Sequence, residues 1–405
     1  MRVLFVCNAH IENSGLTTAS WIQSIIESSS EDFEYCIMSP SKKGMDSDAC
    51  NLAGKRIELW PLSLESKAFS KNVNAIQPDV AIVFGTEHKY SLPVLRLLEE
   101  NHFLDHTLLF SQGFSSVCAQ HYTEGLPSFV SRRATFRDII RFDSIRIQTE
   151  RFKRSAKCEK EAMKLCKFFI GRTTLDRTLL WQANQQTHYF RCSDIMRNVF
   201  YSDVWKYETC QKHRIFVSQY YYPLKGFHYL LNAAAMLKDK YPDLLIAAAG
   251  YDLIGEQTTA FSYKDSSYIR YIKYLIKKYD LKNNICFTGI LSAEEMKEQY
   301  LKANVFVMPS TIENSPNSMA EAMLLGVPSI AADVGGVSDY ALHKREAFIY
   351  PSSADYLLAY YIDQVFSSVE TAKSVSCNAR ERAQKEYDRV KNIARFEEIL
   401  RTVRK

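Results

Sequence analysis

The 405-residue sequence has no run of eighteen or more apolar residues, so it offers no helix long enough to span a bilayer. Its ten cysteines are scattered, without a Cys-x-x-Cys pair or a zinc-like Cys/His spacing. That excludes a recognisable metal site and fits thiols in a reducing cytosol. The formal net charge is only +5 and no RNA- or DNA-binding signature stands out, so no nucleic-acid partner is expected. Gly-x-Gly-x-x-Gly is missing after the first strand, where Asn13-Ser14-Gly15-Leu16-Thr17 stands instead, and a nicotinamide dehydrogenase is thereby excluded. There is no internal repeat or low-complexity segment. The opening Met1-Arg2-Val3-Leu4-Phe5-Val6-Cys7 is a short apolar stretch with Asn8 and His10 close behind, and reads as a β-strand rather than a signal peptide.

What is present suits a globular chain: 46% hydrophobic and 24% charged residues. The length is that of two domains of about 200 residues each. Apolar runs predict strands at residues 2–7, 34–38, 56–61, 79–84, 107–111 and 168–171, then at 215–218, 244–249, 285–288, 305–309 and 329–332. Helix-patterned segments alternate with them, the first over residues 17–27, which argues for α/β domains with parallel sheets covered on both faces. Regular periodicity lapses near residues 194–214, a domain boundary. Two final helices, 372–386 and 390–404, have no strand between them.

The densest signal lies at Glu313-Asn314-Ser315-Pro316-Asn317-Ser318-Met319-Ala320-Glu321. It follows the buried-strand run Val305-Phe306-Val307-Met308-Pro309-Ser310 and opens a helix that Gly326-Val327-Pro328 stops. Two carboxylates therefore flank a helix start at the carboxyl end of a strand, where open α/β sheets bind ligands. Pro316 has no N–H to lose, and the amides of Asn317 and Ser318 can face an anion. Lys225, in Pro223-Leu224-Lys225-Gly226, follows the strand at 215–218 and can neutralise a diphosphate. An ordinary solvated turn lysine is the alternative.

Glu313-x7-Glu321, followed by Ala322-Met323, Gly326-Val327-Pro328 and Gly335-Gly336, resembles the donor site of retaining glycosyltransferase family 4, of the bacterial surface-polysaccharide type. The resemblance covers essentially the whole chain and is loosest over residues 8–15. It implies a GT-B fold: two Rossmann-like domains facing across a cleft. Residues 1–200 would bind acceptor and 201–385 the nucleotide-sugar donor, with the helix 386–405 crossing back to the first domain. It implies a hexosyltransferase-type enzyme, with Glu313 by the sugar, Glu321 accepting from ribose hydroxyls and Lys225 on the diphosphate. Pro316, Asn317, Ser318, Gly15, Gly250, Gly289 and Ile290 would contribute to the donor site, although both Gly250 and Gly289 also read as plain turn glycines. Metal is not required, because amides and lysine can meet the charge of the leaving diphosphate. No cofactor other than the nucleotide-diphosphate sugar itself is expected.

The sequence departs from the family in three places. Gln112 stands where many relatives carry a sugar-contacting His, and Gln219 near the place of a frequent arginine, for which Arg172 or Lys344 could substitute. Only Gly15 remains of the usual Gly-Gly in the first loop. Arg172 either joins the donor site or pairs with Asp176. Glu87, His88 and His121 are candidates for holding a glycan or polyprenyl-linked acceptor, or are surface residues.

Residues 132–157 hold nine basic residues against three acids, a net +6 that exceeds the whole chain's +5. Arg132, Arg133, Arg137 and Arg141 are interleaved with Phe129, Val130, Phe136, Ile139, Ile140 and Phe142, as on helices that grip anionic lipid. A solvated helix face is the alternative. A cytoplasmic protein, peripheral on the inner face of the plasma membrane, is the location this implies. Other readings are a catalytically inactive GT-B binding partner, and a nucleotide-sugar 2-epimerase or phosphorylase, whose acid/base set or pyridoxal lysine is not evident.

Overall fold

The structure is a computed structural model that describes residues 1–8, 11–12, 15–16, 20–40, 48–52, 54–254 and 264–405. The chain divides into two compact units. The first comprises Met1–Ser116, Arg154–Arg197 and Tyr387–Lys405, the second Val117–Lys153 and Asn198–Glu386. Residues 117–153, expected within the first domain, are therefore grouped with the second.

In the first unit the strands are β1 (Arg2–Val6), β2 (Ile11–Glu12), β3 (Gly15–Leu16), β4 (Glu34–Ser39), β5 (Asp48–Leu52), β6 (Lys55–Pro61), β7 (Val80–Phe84), β8 (Thr107–Phe110), β9 (Phe168–Gly171) and β10 (His188–Arg191). Eight of them make one sheet in the order β10-β9-β8-β7-β1-β4-β6-β5. All neighbours are parallel except β5, which runs antiparallel to β6. β7 is buried at every position, because helices cover both faces and leave no solvent side for a polar alternation. Phe396, Ile399, Leu400 and Val403 of the terminal helix Arg389–Arg404 join the same core cluster as Val3, Phe5 and Phe84.

The second unit carries β11 (Arg214–Val217), β12 (Leu245–Ala248), β13 (Ile285–Phe287), β14 (Val305–Met308), β15 (Ser329–Asp333) and β16 (Phe348–Pro351), all parallel, in the order β13-β12-β11-β14-β15-β16. Each sheet thus reverses its winding once, between β1 and β7 in the first unit and between β11 and β14 in the second. Connections leave such a point in opposite directions, which opens a crevice beyond the carboxyl ends of the two strands.

The first helix runs over Ser20–Ser28; residues 17–19, where it was expected to begin, lie outside the described residues. The loop expected at residues 8–15 contains instead the antiparallel ribbon β2–β3, in which Gly15 pairs with Glu12.

Candidate functional site

At the reversal point of the second unit, the loop after β11 meets the loop after β14. Lys225 ends the turn Pro223–Lys225, and Gly226 then adopts φ 62° to open the helix Phe227–Leu237. A Cβ at Gly226 would lie 1.8 Å from the Pro309 carbonyl oxygen, so only glycine lets the two loops approach this closely. The Thr311 amide donates to the Leu224 carbonyl at 2.8 Å and locks them together. Across that junction Lys225 Nζ donates to Glu313 Oε1 at 2.6 Å, and the Ser310 hydroxyl donates to the same oxygen at 2.8 Å. The Glu313 carbonyl in turn accepts from the Gly336 amide at 3.0 Å, which ties the loop to the Gly335-Gly336 turn. Burial works against the Lys225 ammonium, but the Glu313 charge and the Tyr222 hydroxyl outweigh it and raise its pKa above the ordinary lysine value. The side chains of the pair keep 21% and 14% of their surface exposed, enough to present a charge to a ligand.

The helix Asn317–Leu325 begins directly beyond Glu313. It is buried from Met319 to Leu325, and Gly326 (φ 75°) ends it with an amide bond back to Met323. Met319 and Ala320 donate to the Pro316 carbonyl, whereas the amides of Asn317 and Ser318, in the first turn, have no intrahelical acceptor. Tyr300, on the helix Ala293–Lys302, donates its hydroxyl to the Ser318 carbonyl at 2.9 Å and lies 3.2 Å from Glu321 Oε2. It holds this first turn in place, and sequence reasoning missed it. Its spacing from Glu321 follows from helix packing and from no motif. Gly250 and Gly289 bond each other reciprocally at 2.9 and 3.0 Å, and a Cβ at Gly250 would meet the Tyr220 ring at 2.7 Å. Ile290, beside them, is exposed. Gln219 is exposed and accepts from the Tyr222 hydroxyl at 3.3 Å, and Lys344 stands exposed on a turn.

The first unit gathers a separate group at its own reversal point, after β7. The Gly113 amide donates to Glu87 Oε2 at 3.2 Å, and His88 Nε2 lies 3.7 Å from Glu87 Oε1. Gln112 adjoins them, its amide nitrogen buried without a hydrogen bond among the described residues. The residues that follow are pinned by Glu159, which accepts from the Ser115 amide at 2.6 Å and from the Ser116 hydroxyl at 2.6 Å. Burial pushes the Glu159 carboxyl up to about 7 despite those bonds.

Two placements correct the expectations. Arg172 does not reach a ligand site: its guanidinium donates to both oxygens of Asp194, at 2.7 and 2.9 Å, and to the Ser111 carbonyl, all buried. Asp176 bonds the Arg172 amide, not its side chain. Arg137 is likewise occupied, bridging Asp138 and Asp143 at 3.1 and 3.0 Å. His121 belongs to the second unit, and Glu87 and His88 to the first. Its Nδ1 meets Glu124 Oε2 at 2.6 Å, Glu124 accepts from the Ser352 hydroxyl, and the His121 carbonyl accepts from Thr311 Oγ1 at 3.3 Å. Gly15 lies in β3, and Arg132, Arg133 and Arg141 are exposed.

Residues 207–382, less than half of the chain, match the family described as "Glycosyl transferases group 1". Among curated relatives, the putative teichuronic acid biosynthesis glycosyltransferase TuaC of Bacillus subtilis is 32% identical over 118 residues, 29% of this chain and 30% of that one. The chain spans well under half the length of the curated relatives it first matches, 41%, 42% and 30% of three of them. Two solved structures align over nearly the whole of both chains. Sucrose-phosphate synthase from Thermosynechococcus elongatus has a TM-score of 0.73 at 16% identity, covering 100% of this chain and 99% of that one. Anabaena HepE, solved in complex with UDP-glucose, has a TM-score of 0.70 at 15% identity, covering 99% and 100%. The fold is therefore GT-B, with two Rossmann-like α/β units.

Proposed function

We propose that this protein is a retaining glycosyltransferase of family 4 that moves a hexose from a nucleotide-diphosphate donor to a glycan or lipid-linked oligosaccharide in surface-polysaccharide synthesis. The observation that carries the reading is the Lys225–Glu313 pair at the reversal point of the second sheet, beside the open first turn at Asn317 and Ser318. Lysine and two helix amides form a cationic seat for a diphosphate. In this reading Glu313 serves the sugar and Glu321 the ribose. As the glycosidic bond breaks, charge grows on the leaving phosphate, and preorganised N–H donors stabilise that state more than the bound donor. The leaving phosphate takes the acceptor's proton, so Glu313 need not be a nucleophile, and no divalent metal is required. The GT-B neighbour that binds UDP-glucose makes uridine the first base to try.

The test is thermal unfolding against a panel of nucleotides and nucleotide sugars in EDTA, followed by transfer assays with the donor found. A ligand at a hundred times its Kd adds about 2.7 kcal/mol to the folded state. The expected result is a rise with one nucleotide-diphosphate series, lost in Lys225→Ala. No rise with any nucleotide, together with no transfer, would sink the reading. Gln112 and Gln219, standing where relatives carry His and Arg, favour a second one, a binding-only protein. It predicts the same rise without turnover.

A further inference from the structure

Residues 128–146 of the second unit are organised for something other than folding. The helix Phe136–Ile140 is fixed from below by Asp138, which is fully buried. Asp138 Oδ2 accepts from the amides of Thr135 at 3.1 Å and Ser267 at 3.0 Å, and the Thr135 hydroxyl donates to the Asp265 carbonyl at 2.9 Å. The anchorage is rigid, yet the apolar side chains it carries are turned outward. Phe129, Phe136, Ile139, Ile140 and Phe142 are 51 to 69% exposed. A merely solvated helix face would place polar residues at those positions. Phe129 lies edge-on to the buried Tyr271, which stacks on the exposed Tyr274 of the helix Ser267–Lys278.

Phe142 is the sharpest sign. The Asp143 amide donates to the Asp138 carbonyl and the Phe142 amide to that of Ile139, a Schellman ending in which Phe142 takes the left-handed position at φ 50°. Glycine is the residue suited to that conformation, and a bulky one there costs free energy. Phe142 is 69% exposed, so burial offsets little of that cost.

Around these side chains stand Arg132, Arg133, Arg141 and Arg146, all exposed. Both acids of the segment are neutralised internally, Asp138 by burial among donors and by Arg137, and Asp143 by Arg137. The free charge of the face is therefore of one sign.

We propose that this face docks on an anionic lipid surface, with the five apolar side chains entering the headgroup boundary and the arginines meeting lipid phosphates. The surface lies on the second unit, the one that carries Lys225 and Glu313. The proposal concerns binding and stands whether or not the protein transfers sugar, so its test reads partition and not turnover.

The full chain is sedimented with vesicles of phosphatidylcholine alone or mixed with phosphatidylglycerol. Binding is expected only with the anionic lipid, and to fall in high salt. Replacing three arginines by R132E/R133E/R141E should weaken it about a hundredfold, with nucleotide-dependent thermal shifts unchanged. Phe142→Gly should weaken binding about tenfold while raising Tm, a pairing that a structural role for Phe142 does not produce. The proposal is overturned if the wild-type protein ignores anionic vesicles, or if both variants bind them as it does. It is equally overturned if F136S/I139S converts a dimer to a monomer in light scattering without changing partition, because the face is then a contact between two copies.

Discussion

Two cation–carboxylate pairs, each beyond the ends of parallel strands, differ in how deeply they are buried. Arg172 and Asp194, after β9 and β10, keep 3% and 8% of their side-chain surface. Lys225 and Glu313, after β11 and β14, keep 21% and 14%. The difference follows from topology. β9 and β10 are consecutive strands, joined by the crossover helix Thr174–Ala183, with no reversal of winding to part their ends. β11 and β14 flank a reversal, where the connections leave in opposite directions and a ligand has room. A planar guanidinium suits the closed case, satisfying both carboxylate oxygens and a carbonyl at once. A lysine suits the open one, as a point charge that can turn to a phosphate.

Removing one member of each pair should have opposite consequences. Arg172→Ala removes the guanidinium that holds both Asp194 oxygens in a buried site and should cost about 3–5 kcal/mol of stability. Nucleotide affinity at temperatures where the variant stays folded should be unchanged, and a loss of affinity there would reopen a ligand role for Arg172. Glu313→Ala should do the reverse. Transfer should fall about 10²–10³-fold, with a smaller loss of stability than in Arg172→Ala, because this pair keeps more of its surface in solvent. Unchanged turnover in this variant would end the catalytic assignment of Glu313.

The units also differ in how they respond to pH. Glu159 in the first unit is held at about 7, above its ordinary 4.5, because burial disfavours the carboxylate. Its contribution to stability is full below pH 4.5 and is lost as pH rises through 7. His228 in the second unit is pushed down to about 4 from 6.5, because burial disfavours the imidazolium. Its contribution is full above pH 6.5 and is lost as pH falls through 4. Each amounts to up to about 3 kcal/mol. Hydrogen exchange followed in each unit should show the first loosening toward neutral pH and the second toward acid, and Glu159→Gln should flatten the first trend alone. Equal slopes in both units would contradict this account. The smallest effect is at Phe142, where glycine should add about 0.5–1 kcal/mol to stability in chemical denaturation. A loss there would mean that the exposed ring is packed in solution.

Much of this was legible before the fold was known. The central strands were found to within a residue or so at each end, because strands covered on both faces are continuous apolar runs. Of the missed strands, β5, β10 and β16 lie at sheet edges, and β2 and β3 form a separate two-stranded ribbon. β10, His188-Tyr189-Phe190-Arg191, buries only Phe190 well, so its pattern is too weak to read. Lys225, Gly226, Glu313 and Gly335-Gly336 were recognisable as residue types at fixed spacing, and the structure brings them together. Tyr300 and the Gly250–Gly289 bridge depend on how separate elements pack, and spacing along the chain says little about that.

By itself the sequence determined the α/β layering and the residue types that meet at Lys225, Glu313 and the helix start at Asn317. Those features rest on local periodicity and on single-residue steric demands, such as the glycine that Pro309 requires at position 226. Only the tertiary structure decided that residues 117–153 group with the second unit, that Arg172 belongs to Asp194, and that the apolar residues among the arginines face outward. Each of those depends on a partner far along the chain, as in the bond from Ser267 to Asp138 across 129 residues. Burial and pairing are properties of the packed whole, and no local pattern encodes them.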